Sequence, residues 1–214
     1  MLGLYTHSEH FELVHHRVLT QAAVMFKEAL SCFLYLSGLL QQAIDPCIYP
    51  ELLPVKTVDH QQYLGKWYFK AAVSHTEADI QQFRALDNSW FAMEETANDT
   101  LQLTGHMRIG DACIKQTWTY HLQPERDDLE LEGRPQRRNL LWSGKWANCP
   151  DCIVFQEVEP PLNETGTVDS LHRHMLYARH SDVKDELVTA FLKNAVCHNM
   201  QASVRPPQEK EFCA

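Results

Sequence analysis

The sequence has no long hydrophobic run and little positive charge. Its most apolar stretch is FLYLSGLL at residues 33–40. Even counted from Ala29, this stretch reaches only about half of the ~20 residues that a membrane-spanning helix needs. The 19 basic residues are outnumbered by 28 acidic ones, and the net charge of -9 argues against nucleic acid or an anionic membrane as the main partner. The apolar stretch is therefore predicted to be a signal or an anchor, not a spanning helix.

The sequence also lacks internal repeats, low-complexity tracts and any long helical pattern in its middle. A chain of 214 residues with 44% hydrophobic and 22% charged residues has the composition of a soluble globular protein. This length is enough for one domain with a full core.

Cysteine, in contrast, is frequent. Seven cysteines would be unusual in a reduced cytosolic protein, and Cys32 lies inside the apolar stretch, so six remain for a disulfide framework. Two sequons, at Asn98 and Asn163, agree with secretion and glycosylation. Together, the apolar stretch, the even cysteine number and the sequons predict the secretory route.

Short segments of strand composition, separated by turn residues, follow an irregular lead-in at residues 48–64. Their number and spacing, without a long helix between them, predict an antiparallel barrel or sandwich. The eight predicted strands are residues 66–73, 90–96, 101–109, 113–122, 128–133, 138–143, 152–157 and 171–180.

The segment SDVKDELVTAFLKNAVC changes period after the last strand. Its apolar residues recur every four positions, at Val183, Leu187, Phe191 and Ala195. This pattern predicts one amphipathic helix on the outside of the barrel, with Ser181 and Asp182 available as caps. The polar tail RPPQEKEFCA is expected to be loose unless Cys213 tethers it.

Two of the predicted strands alternate in a way that suggests a cavity. One face of the fourth strand carries Ile114, Gln116, Trp118, Tyr120 and Leu122, and one face of the eighth carries Leu171, Arg173, Met175, Tyr177 and Arg179. Both rows mix apolar or aromatic side chains with a few polar groups. A solid core does not need that mixture, whereas a lipid cavity does, with apolar walls for a tail and polar groups for a head.

Several short strings carry a resemblance to a known family. GKWYF (residues 65–69) opens the first strand and resembles the G-x-W signature of lipocalins, which place an arginine over that tryptophan where this chain has Arg179. WTYHL (118–122), LEGRP (131–135) and LNETG (162–166) follow the order of near-identical stretches in the apolipoprotein M family of lipocalins, and LYAR (176–179) differs by one residue. The resemblance covers about residue 25 to the C-terminus.

This resemblance implies an all-β fold, an eight-stranded antiparallel up-and-down lipocalin barrel with one C-terminal amphipathic helix. It implies three parts of the chain: residues 1–24 as an upstream extension, 25–46 as a signal peptide or retained anchor, and 47–214 as the lipocalin domain. A genuine leader at residues 1–24 is the alternative.

The family binds sphingosine 1-phosphate, so the resemblance implies that the barrel holds the lipid tail and that the head lies near the open end. The family's head-group positions or their neighbours, carried over to this sequence, are Trp118, Tyr120, Arg134, Glu164 and Arg173. Tyr177 and Trp67 complete the candidate ligand contacts, although Trp67 is expected to act mainly as a plug at the closed end. A retinoid or fatty-acid cargo is the alternative.

These residues also have plainer interpretations. Trp118 and Tyr120 could be ordinary core aromatics, and Arg134 could be a solvated surface arginine. Arg173, among apolar neighbours, needs an anionic partner, either Glu164 or a ligand phosphate, which suits a guanidinium fork. Where the family has a further head-group arginine, this chain has Gln116, with Lys115 on the opposite face.

The resemblance also implies disulfides, which pair Cys47 with Cys197 and Cys113 with Cys213. The family's partner for the position of Cys149 is missing here, and Cys152 is the expected replacement.

Other chemistry finds less support. The C-x-x-C string at residues 149–152 lacks the βαβ surroundings of a redox site, and Cys113, the candidate for a reactive cavity cysteine, is better assigned to a disulfide. His172 and His174 share one strand face and could hold a metal, but a solvated outer face is the preferred interpretation. We therefore expect no enzyme, no cofactor and no metal site.

The family keeps its signal peptide, and residues 33–46 contain no pair of small residues spaced for signal peptidase. A retained apolar segment would sit in the phospholipid layer of a lipoprotein particle. We therefore expect a secreted protein associated with lipoproteins, high-density ones in particular.

Overall fold

The computed structural model describes residues 25–37, 53, 63–123, 125–160 and 170–214. The chain divides into two compact units, Met1–Pro46 and Cys47–Ala214. In the first unit, residues 25–37 form helix α1. The large apolar side chains of α1 that are exposed are Met25, Phe26, Leu30, Phe33, Leu34, Tyr35 and Leu36. Among the helices in the described ranges, none is both long enough and apolar enough to cross a membrane.

The second unit contains a closed antiparallel barrel, which confirms the predicted fold class. Each of its eight strands pairs with the next along the chain, and β1 closes the barrel by pairing with both β8 and β2. The strands are β1 (Gly65–Ser74), β2 (Leu86–Ala97), β3 (Thr100–Ile109), β4 (Ala112–Leu122), β5 (Leu129–Leu131), β6 (Arg138–Ser143), β7 (Cys152–Glu159) and β8 (Leu171–Ala178). The predicted bounds are close to these, except that β2 begins earlier and β5 is shorter.

Helix α2 (Asp185–Cys197) packs on the outside of the barrel, as predicted. Its buried face joins Trp146 and the outward residues of β1, β7 and β8 in a cluster that we call the outer core. The predicted caps are wrong, because α2 begins after Lys184 and no side chain caps its N-terminus. Asp185 and Glu186 lie in its first turn, where negative charge favours the helix dipole.

A β-bulge in β1 decides which of its side chains face the inside of the barrel. The register against β8 shifts between Phe69 and Ala71, so the alternation of faces skips at Lys70. Trp67 and Phe69 before the bulge and Ala72 after it belong to the inner core, whereas Ala71 belongs to the outer core.

The outward face of β8 differs from the prediction. His172 and His174 were expected on a solvated face, but His174 is only 3% exposed and its ring lies 5.1 Å from the ring of Trp146. The prediction is wrong because the outer core covers this side of the strand. Within the residues that the structure describes, no group of histidine, cysteine or acidic side chains is arranged to hold a metal ion.

The C-terminal segment is tied to the barrel at several points. A short strand that was not predicted, β9 (Ala202–Val204), pairs with β1. Further on, the Asp87 carboxylate accepts a hydrogen bond from the backbone NH of Lys210, and Trp90 Nε1 donates to the Cys213 carbonyl at 2.7 Å.

The structure contains a disulfide between Cys113 and Cys213 and another between Cys149 and Cys152, the pairs expected from the sequence. Cys197 is also disulfide-bonded, whereas its predicted partner, Cys47, lies outside the described residues. Cys32 is a free thiol, as its assignment outside the framework requires.

Candidate functional site

A cavity of about 1390 Å³ lies inside the barrel and is bordered by the loops at one end. This open end carries the β1–β2 loop (residues 75–85), the β3–β4 turn (110–111) and the β5–β6 loop (132–137). The volume exceeds the roughly 300–1,000 Å³ of typical small-molecule sites. It is therefore large enough for an elongated ligand.

Trp67 and Arg179 close the opposite end of the barrel. The guanidinium of Arg179 lies 3.7 Å from the centroid of the Trp67 ring, and its Nη1 donates to the Leu64 carbonyl at 2.7 Å. Trp67 Nε1 donates to the Tyr63 carbonyl at 2.8 Å. Trp67 is 3% exposed and is not among the residues that border the cavity, so it has the position of a plug and not of a ligand contact.

A large part of the cavity wall is apolar. Side chains from five strands contribute, namely Phe91, Leu103, Met107, Leu131, Phe155 and Met175. They can remove a hydrocarbon tail from water without leaving a polar group unsatisfied.

The ring of Trp118 packs closely against Gly105 on the neighbouring strand β3. A Cβ placed on Gly105 would lie 2.7 Å from Cζ3 of Trp118, which no real Cβ tolerates. Both residues border the cavity, together with Gln116 on the same strand. Lys115 does not border the cavity. Strand β4 therefore contributes the neutral Gln116 to the cavity wall, and no lysine or arginine.

Two tyrosine side chains bring hydroxyl groups into the wall. Tyr120 is 3% exposed, and the Tyr177 hydroxyl lies 3.9 Å from the sulfur of Met175. Burial, and secondarily the negative charge of Glu157, raises the pKa of both phenols well above the ordinary value. Both therefore remain neutral at physiological pH and can donate hydrogen bonds to a ligand.

Arg173 has a carboxylate partner inside the cavity, and this partner is Glu157. The two residues lie opposite each other in the β7–β8 pair, and the Arg173 guanidinium donates to the Glu157 carboxylate through Nε and Nη2. Its Nη1 donates to the Asp79 carbonyl at 3.0 Å. The carboxamide oxygen of Gln82, in the orientation that satisfies both partners, accepts from the same guanidinium.

The ion pair continues outward through two more arginines. Arg137 lies 3.7 Å from Glu157 and donates to Glu159 at 2.7 and 2.9 Å. Arg134, which is more exposed, also donates to Glu159 at 3.0 Å. We call this alternating series, Arg173–Glu157–Arg137–Glu159–Arg134, the charge chain.

The pKa of Glu159 reflects the two arginines that contact it in the charge chain. Burial raises the pKa of this carboxyl, but the hydrogen bond and positive charge of Arg137, helped by Arg134, more than offset that effect. The net pKa lies below the usual range, so Glu159 is ionised at physiological pH.

The structure brings most of the predicted ligand residues to one cavity. Those that border it are Gln116, Trp118, Tyr120, Arg134, Arg173 and Tyr177. Glu164 and the sequon residue Asn163 lie outside the described residues, and Asn98 is exposed in the turn between β2 and β3.

Sequence reasoning missed Glu157 and Arg137. A signal for Glu157 was available, because Ile153, Phe155 and Glu157 alternate on one face of β7 and end in a carboxylate. Arg137 stands beside Arg138 in the sequence, and only the structure distinguishes them. Arg138 turns away from the cavity to Asp128, whereas Arg137 borders it.

A closed eight-stranded barrel with an internal cavity, an arginine over the first-strand tryptophan and one outer helix defines a lipocalin. Solved structures agree with this class of fold. The siderocalin Ex-FABP has a TM-score of 0.56 and 17% identity, with coverage of 72% of this chain and 99% of its own. A second siderocalin has a TM-score of 0.56 and 18% identity, with coverage of 73% and 95%.

The family within this class follows from the sequence comparisons. The ApoM domain family matches residues 25–214. Apolipoprotein M of Rattus norvegicus is 31% identical over 197 residues, which cover 88% of this chain and 97% of the rat protein. The chain therefore belongs to the apolipoprotein M family, and its barrel is that of a lipid-binding lipocalin.

Proposed function

We propose that this protein is a carrier, and not an enzyme, for a single-tailed lipid whose head group bears both a phosphate and an amine, with sphingosine 1-phosphate as the representative ligand. The observation that carries the proposal is the combination of an apolar cavity with a charge chain at its open end. The cavity would hold the tail, and the charge chain would select the head group.

The apolar wall supports this assignment energetically. Burying roughly fifteen methylene groups at ~0.8 kcal/mol each contributes about 12 kcal/mol before the entropic costs of association. The tail would therefore provide most of the affinity. The arginines and the tyrosines, which can donate charged or neutral hydrogen bonds, would provide the choice of head group.

Glu157 is the carboxylate that we propose for the ligand amine; Glu164, which the sequence resemblance implies as a head-group position, lies outside the described residues. The Glu157 carboxylate borders the cavity and lies in the same wall as Tyr120 and Tyr177. A ligand ammonium that approached Glu157 would replace one of the two arginines that now neutralise it, while the ligand phosphate would take up the released guanidinium. This exchange keeps every buried charge paired.

The test has two parts. Lipids extracted from protein secreted by cultured animal cells are identified by mass spectrometry, and we expect a phosphorylated sphingoid base. Tryptophan-fluorescence titrations then compare Arg173→Ala with the unmodified protein. We expect sphingosine 1-phosphate to bind more weakly by about 1.5–3 kcal/mol, the contribution of a hydrogen bond to a charged group.

The matched ligand in these titrations is unphosphorylated sphingosine, whose binding should change much less. The matched variant is Arg84→Ala, which removes an exposed arginine paired with Glu77 on the β1–β2 loop. Equal losses for both lipids with Arg173→Ala would assign this arginine a structural role and contradict the phosphate contact.

A fatty acid or retinoid is the second candidate ligand. Two observations favour it, the glutamine at position 116 and the carboxylate partner that each cavity arginine already has. Recovery of a fatty acid or retinoid, with no sphingoid base, in the extracted lipids would select this candidate.

We further propose that the protein is secreted and associates with high-density lipoprotein through α1. The exposed apolar side chains of α1 would be stable in the phospholipid monolayer of a particle. Flotation of secreted material, with intact mass and N-terminal sequencing, tests this. A mature chain that begins near residue 44 and stays free of lipoprotein would refute it.

A further inference from the structure

Arg137 occupies the centre of the charge chain. It is the one member that contacts both carboxylates, with Nη2 2.7 Å from Glu159 and Nη1 3.7 Å from Glu157. Its side chain is 15% exposed and borders the cavity, so its charge acts on the cavity and not on bulk water. The turn that precedes β6, in which the Arg137 NH donates to the Arg134 carbonyl, sets its position.

The composition of the charge chain leaves one positive charge in excess. Three arginines (Arg134, Arg137 and Arg173) face two carboxylates (Glu157 and Glu159), so the sum is +1. Among the described residues, two other carboxylates border the cavity; their partners lie outside the charge chain, and the Glu132 side chain is largely exposed to solvent. Asp79 accepts a hydrogen bond from the Ser74 hydroxyl at 2.8 Å, and Glu132 lies 3.8 Å from His121.

We propose that Arg137 determines the preference of the cavity for anionic head groups, an inference that rests on the proposed carrier function. While Arg137 contacts both Glu157 and Glu159 and one end arginine balances the second carboxylate, the other end arginine, Arg173 or Arg134, can turn to an incoming anion. Without Arg137, the two remaining arginines only balance Glu157 and Glu159. The charge chain then has no excess positive charge for an anionic ligand.

This role also explains how the site can bind a phosphate although β4 offers Gln116 and no cation. The charge is supplied from the β5–β6 loop, across the cavity mouth, instead of from β4. Arginine suits the position because its planar fork can contact two carboxylates at once, which an ammonium group cannot do with the same geometry.

The experiment compares two pairs of ligands that share a tail and differ in head-group charge. The pairs are sphingosine 1-phosphate against sphingosine, and palmitate against hexadecanol, titrated into the full-length protein. For Arg137→Gln we expect the anionic lipid of a pair to bind about tenfold more weakly, the loss expected for one hydrogen bond to a charged group. The uncharged or cationic lipid should change by less than about threefold, and the anion preference should survive in Arg137→Lys, which keeps the charge.

Two further variants sharpen the test. Arg138→Gln is the matched control, because it removes the neighbouring arginine, which faces Asp128 away from the cavity, and should leave both affinities unchanged. Glu159→Gln raises the sum of the chain to +2 and should strengthen binding of the anionic lipid several-fold. This gain cannot result from damage to the fold.

The outcomes separate this inference from the proposed function. If the unmodified protein binds palmitate but not sphingosine 1-phosphate, the proposed ligand is wrong, and the palmitate pair still tests Arg137. Equal losses within a pair for Arg137→Gln, weaker anion binding by Glu159→Gln, or no preference for the anionic lipid in either pair would overturn the inference.

Discussion

On the outward face of β8, Leu176 and Ala178 have no exposed surface and pack in the outer core, whereas on the inward face Arg173 and Tyr177 border a cavity. The outward face stabilises the fold by close packing, in which nearly every surface is in contact with another side chain. The inward face borders the cavity and carries polar groups, and neither feature contributes to close packing. Strand β8 thus packs in the outer core with its outward face and forms part of the cavity wall with its inward face.

Arg173 and His174 show the same contrast in electrostatic terms. Both are buried, at 8% and 3% exposure, and they are adjacent in the sequence. The buried charge of Arg173 is paired with the carboxylate of Glu157, which lies opposite it. His174 faces Trp146, and burial, with further contributions from His172, His75 and His198, lowers its pKa to about 3. Of these two adjacent residues, the one inside the barrel is charged and paired, whereas the one in the outer core is neutral.

The largest effect should follow from a methyl group added beside the outer core, at Gly144, which is buried two residues before Trp146. A Cβ on Gly144 would lie 2.0 Å from the Cys149 carbonyl oxygen and 2.5 Å from that of Cys152, and backbone atoms cannot move aside easily. We expect Gly144→Ala to lower the free energy of unfolding by about 3 kcal/mol or more. Chemical denaturation measures this change in the free energy of unfolding. A change below about 1 kcal/mol would show that the backbone around Gly144 shifts to accommodate the methyl group.

A smaller effect should appear on acidification. Because the pKa of His174 is lower in the folded than in the unfolded chain, the unfolded chain takes up a proton first as the pH falls below about 6.5, and stability is lost. From pH 7 to pH 5 this loss should be about 2 kcal/mol. Half-buried His172, whose pKa burial also lowers, adds to the loss in the same direction.

The contribution of His174 is isolated by comparing pH profiles of stability. His174→Leu should lose less stability than the unmodified protein over this range. Carboxyls with lowered pKa, such as Glu159, lose their contribution only at more acidic pH and do not interfere. Parallel profiles for the unmodified protein and His174→Leu would show that His174 is not the responsible group.

The smallest effect on stability should follow from the same methyl group placed on the cavity wall. In Gly105→Ala the new Cβ meets the side chain of Trp118, which can move into the cavity. We expect a cost of about 1 kcal/mol in unfolding free energy, at the low end for overpacking. Sphingosine and sphingosine 1-phosphate should both bind several-fold more weakly, because the indole would narrow the cavity. A stability loss as large as that of Gly144→Ala would mean that both faces are equally rigid.

The fold could be predicted from the sequence because its signals are local. Alternation of apolar residues, turn residues at regular spacing and one segment of period four are properties of neighbouring positions, and they predicted eight strands and α2. The inward rows of β4 and β8 were predicted for the same reason, since side chains alternate strictly along a strand. Prediction was less accurate where a tertiary contact decides, as for β9, which exists only as a partner of β1.

The sequence by itself therefore determined the class of barrel, the composition of the cavity wall and the presence of arginines in it. Only the tertiary structure decided which carboxylate each arginine meets, which of two adjacent arginines borders the cavity, and which histidine is buried. Glu157 reaches Arg173 through the register of β7 against β8, and His174 is covered by residues brought from elsewhere in the chain. Partners that are distant in sequence are set by strand register and by what packs on each face, and both are completed only when distant segments come into contact.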